Sequence, residues 1–575
     1  MRITNWFSTL GLMVFSVAAV MGQTPTISAG GIVNAASYAN PELPNGSIAQ
    51  GSMFIIFGQN LGPANLVQAT SFPLPTSGGL AGTRVRINAP AQQGGTQATD
   101  CIMVYVSATQ IAAILPSSVN AGAGSLEVVV GSAVSERRPV RVVGSSFGAF
   151  TLNQGGSGPA IAQNFNSESD QPINSVLNPA RPGQTMILWG TGLGPTRGDE
   201  AGGVLPGNLD SINAEVWVGS QRANLRYRGR SGCCAGVDQI VFDVPQGVEG
   251  CYVPLAVRIG NTVSNYSTIS VAPAGRRCTT PLGFSEEDLT RAQSQGSLRF
   301  GSVLLQRSSI QLGSIGGITI PDQVSDLGSA DFVRYDANQL IRSTGAQPPV
   351  NLGACTVFSA TQSQTGFVDP IRAVGLDAGS AINLTGPGGA RTLTRQAGAP
   401  AGSYSATLST PGANPLAPGT PYLNAGTYTF NNGNGGSGGD AVGAFNFTLT
   451  MPAPLNWTNQ GQVNNINRNN GQEVTWSGGD PNGITNIFGF GLSSNNQNAV
   501  GMAFICLERT SAGRFTIPPV VLLSLPPSPP GGGLGSFGGL LGVGATSNAQ
   551  RFTAPGLDVG VASASSTSIK TVTFQ

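Results

Sequence analysis

Gln50-Gly-Ser-Met-Phe-Ile-Ile-Phe-Gly-Gln-Asn-Leu-Gly-Pro63 and Pro182-Gly-Gln-Thr-Met-Ile-Leu-Trp-Gly-Thr-Gly-Leu-Gly-Pro195 are two versions of one stretch, 132 positions apart. Gly51/Gly183, Ile55/Ile187, Gly58/Gly190, Leu61/Leu193, Gly62/Gly194 and Pro63/Pro195 are identical. The match resumes downstream, where Gln110-Ile111 with Pro116 answers Gln239-Ile240 with Pro245, and Gly131 answers Gly260. A match that keeps its spacing over this length marks a duplicated domain. Met53 to Phe57 and Met186 to Trp189 are continuous apolar runs of strand length bounded by glycine, the pattern of strands buried in a sandwich core. Gly58 and Gly190 are expected to end the strand at a bend. Asn60 and Gly192 fit a left-handed turn position. Leu61 and Leu193 are expected to plug the core, and Gly-Pro closes the turn.

Further strands are expected at Ser125–Val130, Gln239–Val244, Val253–Ile259 and Thr268–Val271. Short strands at roughly ten-residue spacing in units of about 130 residues point to Ig-like sandwiches. Gly31-Ile-Val-Asn-Ala-Ala-Ser-Tyr38 with Gly51 to Pro63, and Asn174, Asn178-Pro-Ala180 with Trp189 to Pro195, resemble a repeat of secreted acidobacterial proteins. That repeat is the uncharacterised Ig-like, IPT/TIG-related "Solibacter C-terminal" domain. The resemblance covers roughly residues 28–275. It implies a β-sandwich and export, and it supplies no catalytic residue. Here some 300 further residues follow it.

Those residues read as a second β-rich region. Ser285-Glu-Glu-Asp288 before Leu289 is a helix start of the capping-box kind. Phe445, Phe447, Leu449 and Met451 alternate with Asn446, Thr448 and Thr450, the pattern of a half-buried strand. Gly426–Phe430 and Glu473–Trp476 repeat that style. Asn431–Asp440 and the Pro/Gly-rich Pro526–Gly544 read as loops. The expected organisation is all-β: a signal peptide at 1–22, Ig-like domains at 23–145 and 146–278, a β-rich domain with a short N-terminal helix at 279–455, divided at Pro452-Ala-Pro454, and a β-sandwich-like domain at 456–575.

Composition narrows the function. The chain has 575 residues, 82 of them Gly, no histidine, 10% charged residues and a net charge of +1. Its charged fraction is less than half of the usual quarter or so. Lys570 is the sole lysine, and the remaining basic residues are arginine. No basic face offers itself to nucleic acid. Without histidine there is no Ser-His-Asp triad, Cys-His pair or imidazole metal site. Gly435-Gly-Ser437-Gly-Gly439 matches the nucleophile-elbow spacing but has no base to serve it. Gly533-Leu-Gly535-Ser-Phe-Gly538 matches a dinucleotide fingerprint outside its strand–helix setting. Gly479-Asp480-Pro-Asn482-Gly483 reads as a turn, since it lacks the ligands of a calcium loop. A carboxylate pair serves glycosidases without histidine, but nothing in the order of the acids singles one out. Trp457, Trp476, Phe488 and Phe490 read as core, with a sugar-stacking face as the other use.

Arg2 followed by the apolar Trp6–Met21 is the layout of a secretory signal, cut after Gly22. No later run is long enough for a membrane span. Export permits disulfides. Cys233, Cys234, Cys251 and Cys278 form a local group, with a thiolate zinc site as the alternative. Neighbours in a strand face opposite ways, so Cys233 and Cys234 are expected to bond different partners, with Cys251 and Cys278 nearest. Cys355 and Cys506 are expected to pair, leaving Cys101 free. The resulting expectation is a non-enzymatic protein, secreted, at the cell surface or periplasmic, without cofactor or metal. It would bind an unidentified protein or glycan through an adhesion or protein-interaction role, or serve as a carbohydrate-binding or accessory module of polysaccharide degradation.

Overall fold

The computed structural model describes residues 24–198, 200–205, 207–279, 285–311, 314–315, 318–319, 321–337, 350–359, 373–395, 401–412, 417–494, 499–528 and 538–575. The expected signal peptide and most of Gly533–Gly538 lie outside them. Among the described residues no helix is long and apolar enough to cross a membrane. The fold is all-β and multi-domain.

The first repeat is a sandwich of a five-stranded and a six-stranded sheet. Met53–Gln59 lies between Thr26–Asn34 and Gln110–Ile114, and Gly122–Val130 lies between Arg138–Val143 and Thr83–Pro90. Phe54, Ile56, Val85, Ile87, Met103, Ile111 and Val128 fill the space between the sheets. In the second repeat Thr185–Thr191 takes the same place, between Gly148–Ala149 and Asp238–Asp243. Its core holds Met186, Leu188, Ile240, Phe242 and Leu255.

The shared motif does what its residue types suggest, with one difference. Leu61 and Leu193 are fully buried. Asn60 has φ 56° and Gly192 φ 103°, the left-handed conformation such a turn requires. Gly58 and Gly190, however, sit inside their strands rather than at a bend. They permit close approach of the neighbouring strand: a Cβ on Gly58 would lie 2.0 Å from the Thr26 carbonyl, and one on Gly190 would lie 2.3 Å from that of Gly148.

The C-terminal half is built on one fourteen-stranded sheet. The expected division at Pro452-Ala-Pro454 falls between the strands Asn446–Met451 and Leu455–Trp457. Ser297–Gln311 pairs in parallel with Val559–Thr571, so the first and last long strands of this half lie side by side. The two largest cores along the sheet are separate. One holds Leu305, Phe332, Tyr404, Tyr428 and Phe430, with Phe552 and Ala564 from beyond residue 455. The other holds Trp457, Trp476, Phe504, Leu541 and Phe574. The sheet rolls over the first core, so that Phe447 near its far edge stacks on Phe552, ring centroids 4.2 Å apart.

Pro526–Gly544 departs from the loop expectation. Gly539–Thr546 is a central strand between Ile484–Ser494 and Val559–Thr571. Its glycines admit the neighbouring strand, since a Cβ on Gly544 would lie 2.2 Å from the Ser566 carbonyl. The expected helix is Glu286–Gln295, with Ser285 and Asp288 forming a reciprocal capping box. Leu289 packs beside Cys251, Cys278 and Tyr252. Ala256, Val263 and Tyr266 of the second repeat enter the core around Cys355 and Val357. The second sandwich is thereby seated on the C-terminal half.

Candidate functional site

A dense, buried polar arrangement lies where the two repeats meet. Arg230 ends the strand Asn224–Arg230 and Asp238 begins Asp238–Asp243. Their side chains are 3% and 0% exposed and form a buried ion pair. Arg230 Nη2 also donates to the Gly194 carbonyl at 2.7 Å, and Asp238 Oδ2 accepts from the Leu193 amide at 2.7 Å. The pair thus holds the turn of the repeated motif. Burial pushes the Asp238 carboxyl up, and Arg230 opposes that rise.

The first repeat supplies the other half. Ser117 Oγ hydrogen-bonds the buried Glu200 carboxylate, the Ser117 amide donates to it at 3.2 Å, and the Thr196 amide donates to Ser117 Oγ at 2.9 Å. Gly51, with φ 72°, lies against this cluster: a Cβ there would stand 2.0 Å from Arg230 Nη2. Asn34 donates to the carbonyls of Ser146 and Thr191, and the Met53 amide donates to Thr191 Oγ1 at 2.8 Å. An apolar layer of Ile102, Ile114 and Ala201, with Met53, Leu74 and Ala235, completes the joint. Arg230 Nε is buried without a hydrogen-bond partner, but the remaining bonds of this cluster fix a geometry, and breaking one partner of the ion pair leaves a buried charge.

The cysteines give one correction and two agreements. Cys233 and Cys234 bond to each other, and Cys251 bonds Cys278. The opposite-faces argument fails because Cys233 and Cys234 sit in the exposed turn between two strands, where period-two alternation does not apply. Cys355 and Cys506 pair as expected, directly opposite each other in antiparallel strands. Cys101 is a free, buried thiol, and burial pushes its pKa up. Among the described residues no group of three His, Cys, Asp or Glu side chains is placed to hold a metal.

Two clefts lie in the C-terminal half. One, of about 380 Å³, is lined by Asp377, Arg395, Ser380 and the loop Gly435–Ser437. The elbow-like glycine motif therefore lies in an open loop rather than between a strand and a helix. Burial raises the Asp377 carboxyl, but hydrogen bonds from the Gly379 and Ser437 amides and from Arg395 outweigh it and hold the group below the usual range. The second cleft, of about 250 Å³, lies between the two cores. Its lining includes the polar Arg307, Ser309, Ser566 and Ser568 and the apolar Met451, Pro452, Pro454 and Leu455. Trp457 and Trp476 are 5% and 4% exposed and pack in a core, whereas Phe488 and Phe490 are half-buried. In the Asp480–Gly483 turn the Gly483 amide donates to the Asp480 carbonyl at 2.9 Å.

No family model and no curated protein matches the chain. The chain has distant likenesses among solved structures. The gamma-CGTase of alkalophilic Bacillus clarkii is 10% identical, covering 50% of this chain and 34% of that one, with a TM-score of 0.15. Domains 5–6 of the S-layer protein SbsC are 10% identical, covering 44% and 99%, TM-score 0.16. The Bacteroides ovatus mixed-linkage glucan utilization protein SGBP-B, solved with a mixed-linkage heptasaccharide, is 10% identical, covering 83% and 95%, TM-score 0.12. Overlaps this small carry no argument about activity.

Proposed function

We propose that the protein is a secreted or cell-surface scaffold that works by adhesion or protein contact and carries out no catalysis. One observation supports this reading above the others: beside the buried Arg230–Asp238 pair of the second repeat, its buried Glu200 is bonded to Ser117 of the first, which couples two consecutive sandwiches. Modules coupled in this way present their outer faces at a fixed spacing, which suits a spacer or a contact surface. The three disulfides suit an oxidising compartment. In this reading residues 1–22 direct export and residues 28–275 are tandem IPT/TIG-related modules. Fractionation of the producing cells, with protease treatment of intact cells, tests it. Protein in the medium or cleaved at the surface supports the reading, and protein confined to the cytoplasm overturns it.

Carbohydrate recognition by the C-terminal half is the second reading. The cleft between the two cores favours it, because its lining combines hydroxyls and Arg307 with aliphatic carbon. Sugars present both kinds of surface. A glycan array probed with the full chain tests it: binding lost in Ser566→Trp supports a site there, and absence of binding to any glycan removes the reading.

A further inference from the structure

We propose that Cys233–Cys234 is a thiol-exchange site, which takes two electrons from a dithiol reductant and on reduction loosens the joint between the repeats.

The three disulfides differ in access. Cys251, Cys278, Cys355 and Cys506 are at most 2% exposed, whereas Cys233 and Cys234 both lie exposed in the turn after Arg230. A thiolate must reach a sulfur to attack it, so exposed disulfides are the labile ones. The pairs differ also in what they close. Cys251–Cys278 and Cys355–Cys506 span 27 and 151 residues, but Cys233–Cys234 spans one. Chain-entropy stabilisation grows with the closed loop. Opening the adjacent pair therefore changes one turn and leaves the fold standing.

That turn is wired into the joint on both sides. Ser231 Oγ accepts from the Cys234 amide at 3.1 Å and donates to the Cys234 carbonyl at 3.0 Å. The Ser231 amide donates to the Val237 carbonyl at 2.9 Å. Gly236 accepts from Thr191 Oγ1 at 2.6 Å, and Thr191 Oγ1 in turn accepts from the Met53 amide of the first repeat. Gly236 also lies flat on Ile114, where a Cβ would come within 2.7 Å. Arg230 and Asp238 flank the turn directly. The covalent ring between adjacent residues restricts the backbone that makes these contacts, and its opening releases that restriction.

The exchange balances as follows. A thiolate of the dithiol attacks one sulfur, forming a mixed disulfide and expelling the other cysteine as a thiolate, which takes a proton. The second thiol of the reductant loses its proton to solvent and attacks its own partner sulfur, expelling the remaining cysteine, which is protonated in turn. The reductant leaves as a disulfide, and the protein holds two thiols.

The test treats the full chain with dithiothreitol under native conditions, followed by alkylation, peptide mass mapping and amide hydrogen exchange. The expected result is alkylation of Cys233 and Cys234 ahead of the other four disulfide cysteines. It is accompanied by at least several-fold faster exchange in residues 112–117 and 191–196. Cys233→Ser/Cys234→Ser should show the fast exchange without reductant and no response to it. Reduction of all three disulfides together, or of none, overturns the exchange site. Selective reduction with unchanged exchange at the joint overturns its coupling to the repeats.

Discussion

Gly51 and Gly183 occupy the same position of the two repeats, yet they face different neighbours. Both have positive φ, 72° and 80°. A Cβ on Gly51 meets the buried Arg230 guanidinium, whereas one on Gly183 meets only the amide end of Gln246. Gly183→Ala should therefore cost about 1–2 kcal/mol in backbone strain, and Gly51→Ala about 1–3 kcal/mol more through overpacking. Chemical denaturation of the two variants side by side checks the difference. Arg230→Met leaves the Asp238 carboxylate buried without its partner and should cost about 3–5 kcal/mol. Arg230→Met/Asp238→Leu should recover much of that loss. The glycine positions were legible in the sequence because the repeat aligned them. The ion pair was not. Arg226, Arg228 and Arg230 alternate along one strand and look alike in sequence, and only the folded pairing of Arg230 with Asp238 and the Gly194 carbonyl marks it as the buried one.

Among the elements, the helix Glu286–Gln295 gives a test by pH. Burial alone raises the Asp288 carboxyl, but hydrogen bonds from Arg551 and Ser285 outweigh it and hold the group below the usual carboxylate range. A depressed acid contributes its stability in full above the unfolded value, and that contribution is lost as pH falls through the folded one. The protection factors of residues 286–295, corrected for the pH dependence of intrinsic exchange, should therefore be high at neutral pH and fall below the ordinary carboxylate range. Asp288→Asn should make exchange there fast at neutral pH and flatten the profile. Ser285→Ala removes the cap and should cost about 1 kcal/mol. This helix was legible because capping is local chemistry. Gly539–Thr546 was not, since its glycines carry the composition of a loop and become a strand only through pairing with Ile484–Ser494 and Val559–Thr571.

For the whole molecule, the sequence showed the tandem sandwiches but not how they are joined to each other or to the C-terminal sheet. Those contacts bring together residues far apart in the chain, and no periodicity records them. Cys355–Cys506 ties the sheet edge across 151 residues, and on the chain-entropy estimate its removal costs about 5 kcal/mol, against about 3.5 kcal/mol for the 27-residue Cys251–Cys278 loop. Thermal unfolding of Cys355→Ala/Cys506→Ala and Cys251→Ala/Cys278→Ala checks that order. The joint between the repeats is tested most directly by a distance across it. Spin labels placed at Gln97 and Gln221, both exposed and one in each repeat, report that distance by pulsed dipolar spectroscopy on the full chain. A locked joint gives one narrow distribution in the parent protein and a broad one in Arg230→Met. A broad distribution in the parent protein contradicts a fixed spacing between the modules.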